Sequence, residues 1–121
     1  MEYTYSNERP ETVVVTRRLG QPVYTINIFV QESDISDYEH KYVSLTLPQN
    51  TWDRAAIISG IVRLKYTSDE MDAIRNNYDL VRDGTAGDKT QEYTREYLAM
   101  QEWRREAKEI ASKIMEEHER N

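Results

Sequence analysis

Between residues 12 and 47 apolar side chains recur at every second position, and beyond Pro48 they recur at every third or fourth. That change of period predicts strands first and helices afterwards. The run "TVVVTRR" is short and rich in β-branched residues, which suits a strand, and "LGQP" supplies a turn. In "VYTINIFVQ" the residues Tyr24, Ile26, Ile28 and Val30 fall on one face, opposite Val23, Thr25, Asn27 and Phe29. The acidic "ESDISDYEH" reads as a loop. In "KYVSLTL" the residues Val43, Leu45 and Leu47 oppose Tyr42, Ser44 and Thr46. Connections this short predict a three-stranded antiparallel β-meander over residues 12–47, since parallel pairing needs a long crossover. Residues 1–11 are polar with two tyrosines and read as a flexible N-terminal arm.

Three α-helices are expected to follow. The first, from about Trp52 to Lys65 with Asn50 or Thr51 as its cap, carries Ala55, Ala56, Ile57, Ile58, Ile61, Val62 and Leu64. Apolar residues nearly all round predict a buried helix lying across the sheet. The second opens on a capping box, Thr67 with Glu70, flanked by Tyr66 and Met71 as a hydrophobic staple. Its stripe of Met71, Ile74, Tyr78 and Val81 is expected to pack on the first helix. From Lys89 to His118 the chain lacks Gly and Pro and reads as one long helix. Its apolar stripe is Tyr93, Tyr97, Met100, Ala107, Ala111 and Ile114, with Glu109–Lys113 and Glu116–Arg120 as supporting ion pairs. The fold class is therefore α+β, organised as the arm, an α+β domain over 12–87 and a C-terminal amphipathic helix over 88–121.

Composition narrows the function. The chain has 121 residues and a net charge of −6, and the acidic excess is spread along its length. No segment is basic enough to condense on phosphates. Cysteine is absent, which removes disulfides, thiolate metal sites and cysteine nucleophiles. The longest apolar stretch is about ten residues and is broken by Ser59 and Gly60, whereas a spanning helix needs ~20. The N-terminus lacks the pattern of a signal peptide. A soluble, cytoplasmic protein without a membrane partner is expected.

The tight turn between the first two helices raises the question of DNA reading. A recognition helix leads with its N-terminal residues, which here are Ser68, Asp69, Glu70 and Asp72. Those carboxylates suit the helix dipole and repel phosphate, so no nucleic-acid partner is expected. His40 and His118 have no second ligand at zinc spacing. Glu32, Asp34 and Asp37 share a loop without the glycine and spacing of a calcium site. No nucleophile elbow or dinucleotide fingerprint occurs. These patterns predict no catalytic, cofactor-binding or metal-binding residues. Trp103, Arg104, Ile110 and Ile114 on the last helix form the candidate interaction surface, because Trp and Arg are enriched at such hot spots; packing on the domain is the alternative reading of Trp103. Asn76 and Asn77 are poor helix formers in mid-helix, and an internal hydrogen bond is preferred there over a partner contact.

The stretch from Val43 to Lys113, with Leu47-Pro48, Trp52-Asp53, Lys65-Tyr66, Asp69-Glu70-Met71, Ala73-Ile74 and Asn76-Asn77-Tyr78 followed by "MQEWRREAKEIA", resembles small uncharacterised proteins of Bacteroidetes genomes and their prophage-like regions. The family carries no known activity. What the resemblance implies is a phage or mobile-element accessory protein that works by binding. The expected function is thus a non-enzymatic protein–protein interaction or assembly role, with a partner or a second copy meeting the C-terminal helix and a homodimer favoured over a monomer. The alternative is a small ligand-binding domain or enzyme whose site gathers scattered carboxylates and tyrosines. A nucleic-acid regulator ranks third because of the charge.

Overall fold

The computed structural model describes residues 1–120. Four strands, β1 (Thr4–Ser6), β2 (Val13–Arg18), β3 (Gln21–Glu32) and β4 (His40–Thr46), precede three helices, α1 (Arg54–Arg63), α2 (Ser68–Arg82) and α3 (Thr90–Arg120). The fold is α+β as expected, but the antiparallel sheet has four strands in the order β1-β4-β3-β2 rather than three. The expected arm is thus corrected: Thr4, Tyr5 and Ser6 pair with Tyr42, Lys41 and His40 at the sheet edge. Three hairpin-linked strands with another strand beside the last have the Greek-key relation. The chain from β1 to β2 is held by Asn27, a buried residue of β3. Its Nδ2 donates to Glu11 O at 2.8 Å, its backbone N–H donates to Thr12 O at 2.8 Å, and its Oδ1 accepts from Ser44 Oγ at 2.7 Å. A three-residue strand has too little periodicity to show itself in sequence.

The alternation in β3 also breaks. Ile28 pairs with Val43 and Gln31 with Lys41, so Phe29 and Val30 stand opposite the single Tyr42 in a β-bulge. Phe29 adopts a left-handed φ of 57° there. As a result Phe29, not Val30, packs against the core beside Ile28, with its ring 6.1 Å from that of Trp103.

The helix α1 begins after Asp53, whose side chain accepts from Ala56 N at 2.7 Å, so Asp53 replaces Asn50 and Thr51 as the cap. Asn50 instead turns the chain with φ 58° and donates to Pro22 O at 2.7 Å. Helix α1 presses Ile57, Ile61 and Val62 into the core and leaves Ala55, Ser59 and Arg63 exposed, so it is buried on one side and not all round. Both halves of the Thr67–Glu70 capping box form, and Tyr66 and Met71 both pack against the core.

The largest departure is the placement of α3. From Trp103 onward it supplies Trp103, Ala107, Ala111 and Ile114 to one core with Ile26, Ile28, Val43, Leu47, Ile57, Ile61 and Val62. Residues 12–87 and 88–120 therefore share a core. The fully buried alanines, Ala107 and Ala111, let α3 approach α1 closely, and Arg54 reaches across to Ser112 Oγ at 3.1 Å. Helix α2 lies against the first half of α3 instead of against α1, its Tyr78 stacked on Tyr97 with centroids 4.0 Å apart and planes 3° from parallel. The apolar stripe of α3 is thus divided: Tyr97 serves α2, while Ala107, Ala111 and Ile114 serve the core with the sheet and α1. Among the described residues, no helix is long and apolar enough to cross a membrane.

Candidate functional site

Of the residues singled out on α3, Trp103 and Ile114 are buried and Ile110 packs at the core's margin. The Trp103 indole donates to Val62 O at 3.3 Å, which also accepts from the backbone N–H groups of Lys65 and Tyr66, and Lys65 Nζ sits 4.0 Å from its ring centroid. Within the chain Trp103, Ile110 and Ile114 pack against the sheet and α1, which is the alternative reading held for Trp103, because the sheet and α1 need a cover and this stripe provides it. Arg104, one position on, points elsewhere. It is half-buried and lines a cleft of about 280 Å³ where α1, α2 and α3 meet.

The cleft follows from helical periodicity. On α1, Ala55, Ser59 and Arg63 recur at intervals of four, with Ile58 and Val62 beside them; on α2, Ser68, Met71 and Arg75 recur at three and four. The two stripes face one another across the turn, and Arg104 closes the third side. The floor is apolar, made by Ala55, Ile58, Val62 and Met71, while the polar walls carry Ser59, Ser68 and three arginines, with no carboxylate among the lining residues. Arg75 is paired with Asp72 at 3.5 Å on the exposed flank. Arg63 lies in the last turn of α1, where a cation complements the dipole. In a chain of net charge −6, this is a local concentration of positive charge beside apolar surface. Such a cleft accepts an anionic group carried on an apolar body, because guanidinium forks bind carboxylate or phosphate bidentately. Sequence reading found Arg104 alone. The legible signal for Arg63 and Arg75 was their register with small residues on facing helices.

The opposite side of α2 opens a second depression against α3, lined by Tyr66, Ala73, Ile74, Asn77 and Ala99 with Glu70, Glu96 and Arg95 around them. Asn76 is exposed and Asn77 half-buried. Neither side chain hydrogen-bonds within the described chain, so the internal bond expected for them is absent and Asn77 faces the groove unpaired.

The remaining candidates are dispersed. Asp34, from the loop weighed as a calcium site, accepts from Tyr5 Oη at 3.1 Å and pairs with Lys41 at 3.6 Å. Its own backbone N–H, then the Tyr5 hydroxyl, hold its carboxyl below the usual range, and Tyr5 is raised by desolvation and by that same bond. His40 lies 3.9 Å from Glu39, whereas His118 packs on Trp52 at a tilt of 49° with centroids 4.5 Å apart and meets Tyr24 edge-on at 6.3 Å. No three His, Asp or Glu side chains gather as a metal site among the described residues. No protein-family model, curated protein or solved structure matches the chain.

Proposed function

We propose that the protein is a non-enzymatic interaction protein that captures an acidic, apolar segment of a partner in the cleft between its three helices. The carrying observation is the convergence of Arg63, Arg75 and Arg104 on an apolar floor in an otherwise acidic chain. Arginine at a partly desolvated position contributes most where it meets a carboxylate on a partner. The net negative charge disfavours acidic segments over the surface as a whole, so the cleft also adds specificity. The same reading fits the accessory, binding role implied by the resemblance to Bacteroidetes and prophage-associated proteins. It moves the interaction surface from the buried face of α3 to the side of α3 that carries Arg104.

A displayed library of short random peptides tests it. Selected peptides should pair Asp or Glu with Leu, Phe or Met, and their affinity should fall with rising salt. Arg104→Ala and Arg75→Ala should each weaken binding about tenfold, the scale of one charged hydrogen bond, with the circular dichroism spectrum unchanged. Selection of peptides without acidic residues, or affinities indifferent to both substitutions, would falsify the proposal.

A further inference from the structure

The two edges of the sheet are treated differently. One edge is β1, only three residues long, and short edge strands resist pairing with other chains. The other is β2, six residues of "VVVTRR" paired on one side only, with β3. The β2–β3 hairpin closes through Leu19 and Gly20, with Arg18 paired to Gln21. In a two-residue hairpin the pair flanking the turn exchanges both hydrogen bonds, and such pairs alternate along the ladder. Arg18, Thr16 and Val14 therefore direct their backbone groups to β3. Val13, Val15 and Arg17 direct theirs outward, where the described residues offer them no backbone partner. Val15, at the middle of this row, keeps half of its surface exposed (50%).

We infer that β2 pairs antiparallel with β2 of a second copy, about a twofold axis passing through Val15. The inference is independent of the cleft, which lies among the helices. Three features select the second copy and this register. Outward-facing residues must meet outward-facing residues, and an axis at Val15 matches Val15 with Val15 and Val13 with Arg17 of the other copy. An axis at Val14 or Thr16 leaves one outward residue of each strand without a partner inside β2. The same axis lays the two half-exposed valines against each other, as a self-complementary isologous contact requires. Finally, the charges fit. Arg17 and Arg18 occupy one end of the strand, and antiparallel pairing places them at opposite ends of the new ladder. There Arg17 lies diagonal to the exposed Glu11 of the second copy, whose backbone Asn27 holds in place. No like charges stand directly opposite.

Sedimentation of the intact chain across a concentration series, with three variants, tests the pairing. The wild type should sediment as a dimer at micromolar concentrations. Val15→Lys puts two cations face to face on the axis and should yield a monomer that still melts cooperatively, at a temperature that no longer depends on concentration. Because the chain has no cysteine, Val15→Cys supplies a unique thiol about 5.5 Å, Cα to Cα, from its mate and should cross-link with a short bismaleimide. Arg18→Cys, about 20 Å from its mate in this register, should not. A wild type that stays monomeric at its solubility limit, or a dimer that survives Val15→Lys, overturns the inference. So does cross-linking at Arg18→Cys rather than Val15→Cys. A monomer that instead binds an extended acidic peptide along β2 would also overturn it, assigning the edge to a different partner.

Discussion

Leu19 holds a left-handed backbone conformation, φ 52°, beside Gly20 at φ 79°, and its side chain is 93% exposed. Positive φ at both central positions makes a type I′ turn, which matches the twist of a hairpin but disfavours any residue with a Cβ except Asn or Asp. Leucine gains no packing at that exposure to offset the cost. Leu19→Asn should therefore stabilise the protein by about 1 kcal/mol, read as a higher urea midpoint at constant slope. Gly60 presents the opposite case. Its lack of a side chain lets α1 settle on β4, where an added Cβ would lie 2.7 and 2.8 Å from the two methyl carbons of Leu45. Alanine would gain about 1 kcal/mol of helix propensity and lose about 1–3 kcal/mol to overpacking. Gly60→Ala should thus be net destabilising, and combining it with Leu45→Val should recover part of the loss. Equal effects in both backgrounds would show that the contact does not decide the outcome.

At the level of elements, the strand β1 is docked by its short ladder with β4, and Asp34 braces it through Tyr5. Tyr5 donates to its carboxylate, Lys41 pairs with it, and Asn7 Oδ1 accepts from Glu39 N at 3.2 Å nearby. Because the folded state lowers the Asp34 pKa, its contribution is complete above the ordinary carboxylate pKa of about 4 and is lost as pH falls through the lower folded value. Amide protection of Thr4–Ser6 should decline on acidification before that of β3, and Asp34→Asn should leave β1 loosened with that pH dependence removed. Legibility followed the same scale. The capping box at Thr67 and Glu70 was readable because it is local, as were the strands with clear alternation. The strand β1 was not, since three residues carry no period and its partner lies in β4. The bulge at Phe29 was hidden because alternation reads straight through it. On α3 the expected Glu109–Lys113 pair gives way to Arg105, which bridges Glu102 and Glu109, while Glu116–Arg120 forms as expected. Several acceptable partners within one turn leave spacing alone unable to choose. The arginine cleft was only partly readable, because Arg63, Arg75 and Arg104 come together through the angles between three helices.

The molecule as a whole depends on α3 in a way its charged composition conceals. A sheet with one apolar face and a ten-residue α1 cannot cover Ile26, Ile28, Val43 and Leu47 by themselves. Trp103, Ala107, Ala111 and Ile114 complete the cover, and the Trp103 indole also donates to Val62 O at the end of α1. Removing residues 103–121 would expose the fully buried Ile57 and Ile61 to water, at roughly 1.5–3 kcal/mol for each such side chain. Those two losses alone are comparable with the lower end of the roughly 5–15 kcal/mol that holds a domain together, and Ile26, Ile28, Val43 and Leu47 share the same core. The truncated chain should therefore lose its near-ultraviolet dichroism and cooperative melting, where a separable C-terminal helix would leave both intact. Truncation after His118 is the matched control, because it keeps the contact with Trp52 and Tyr24 and removes only the exposed Glu119 and Arg120 from α3. That variant should melt within about 2 °C of the full chain, since surface changes away from packed features usually stay within ~0.5 kcal/mol. A cooperative transition in the chain ending at Glu102 would show that the sheet and α1 form a core without α3, and the division at residue 87 would then be a real one.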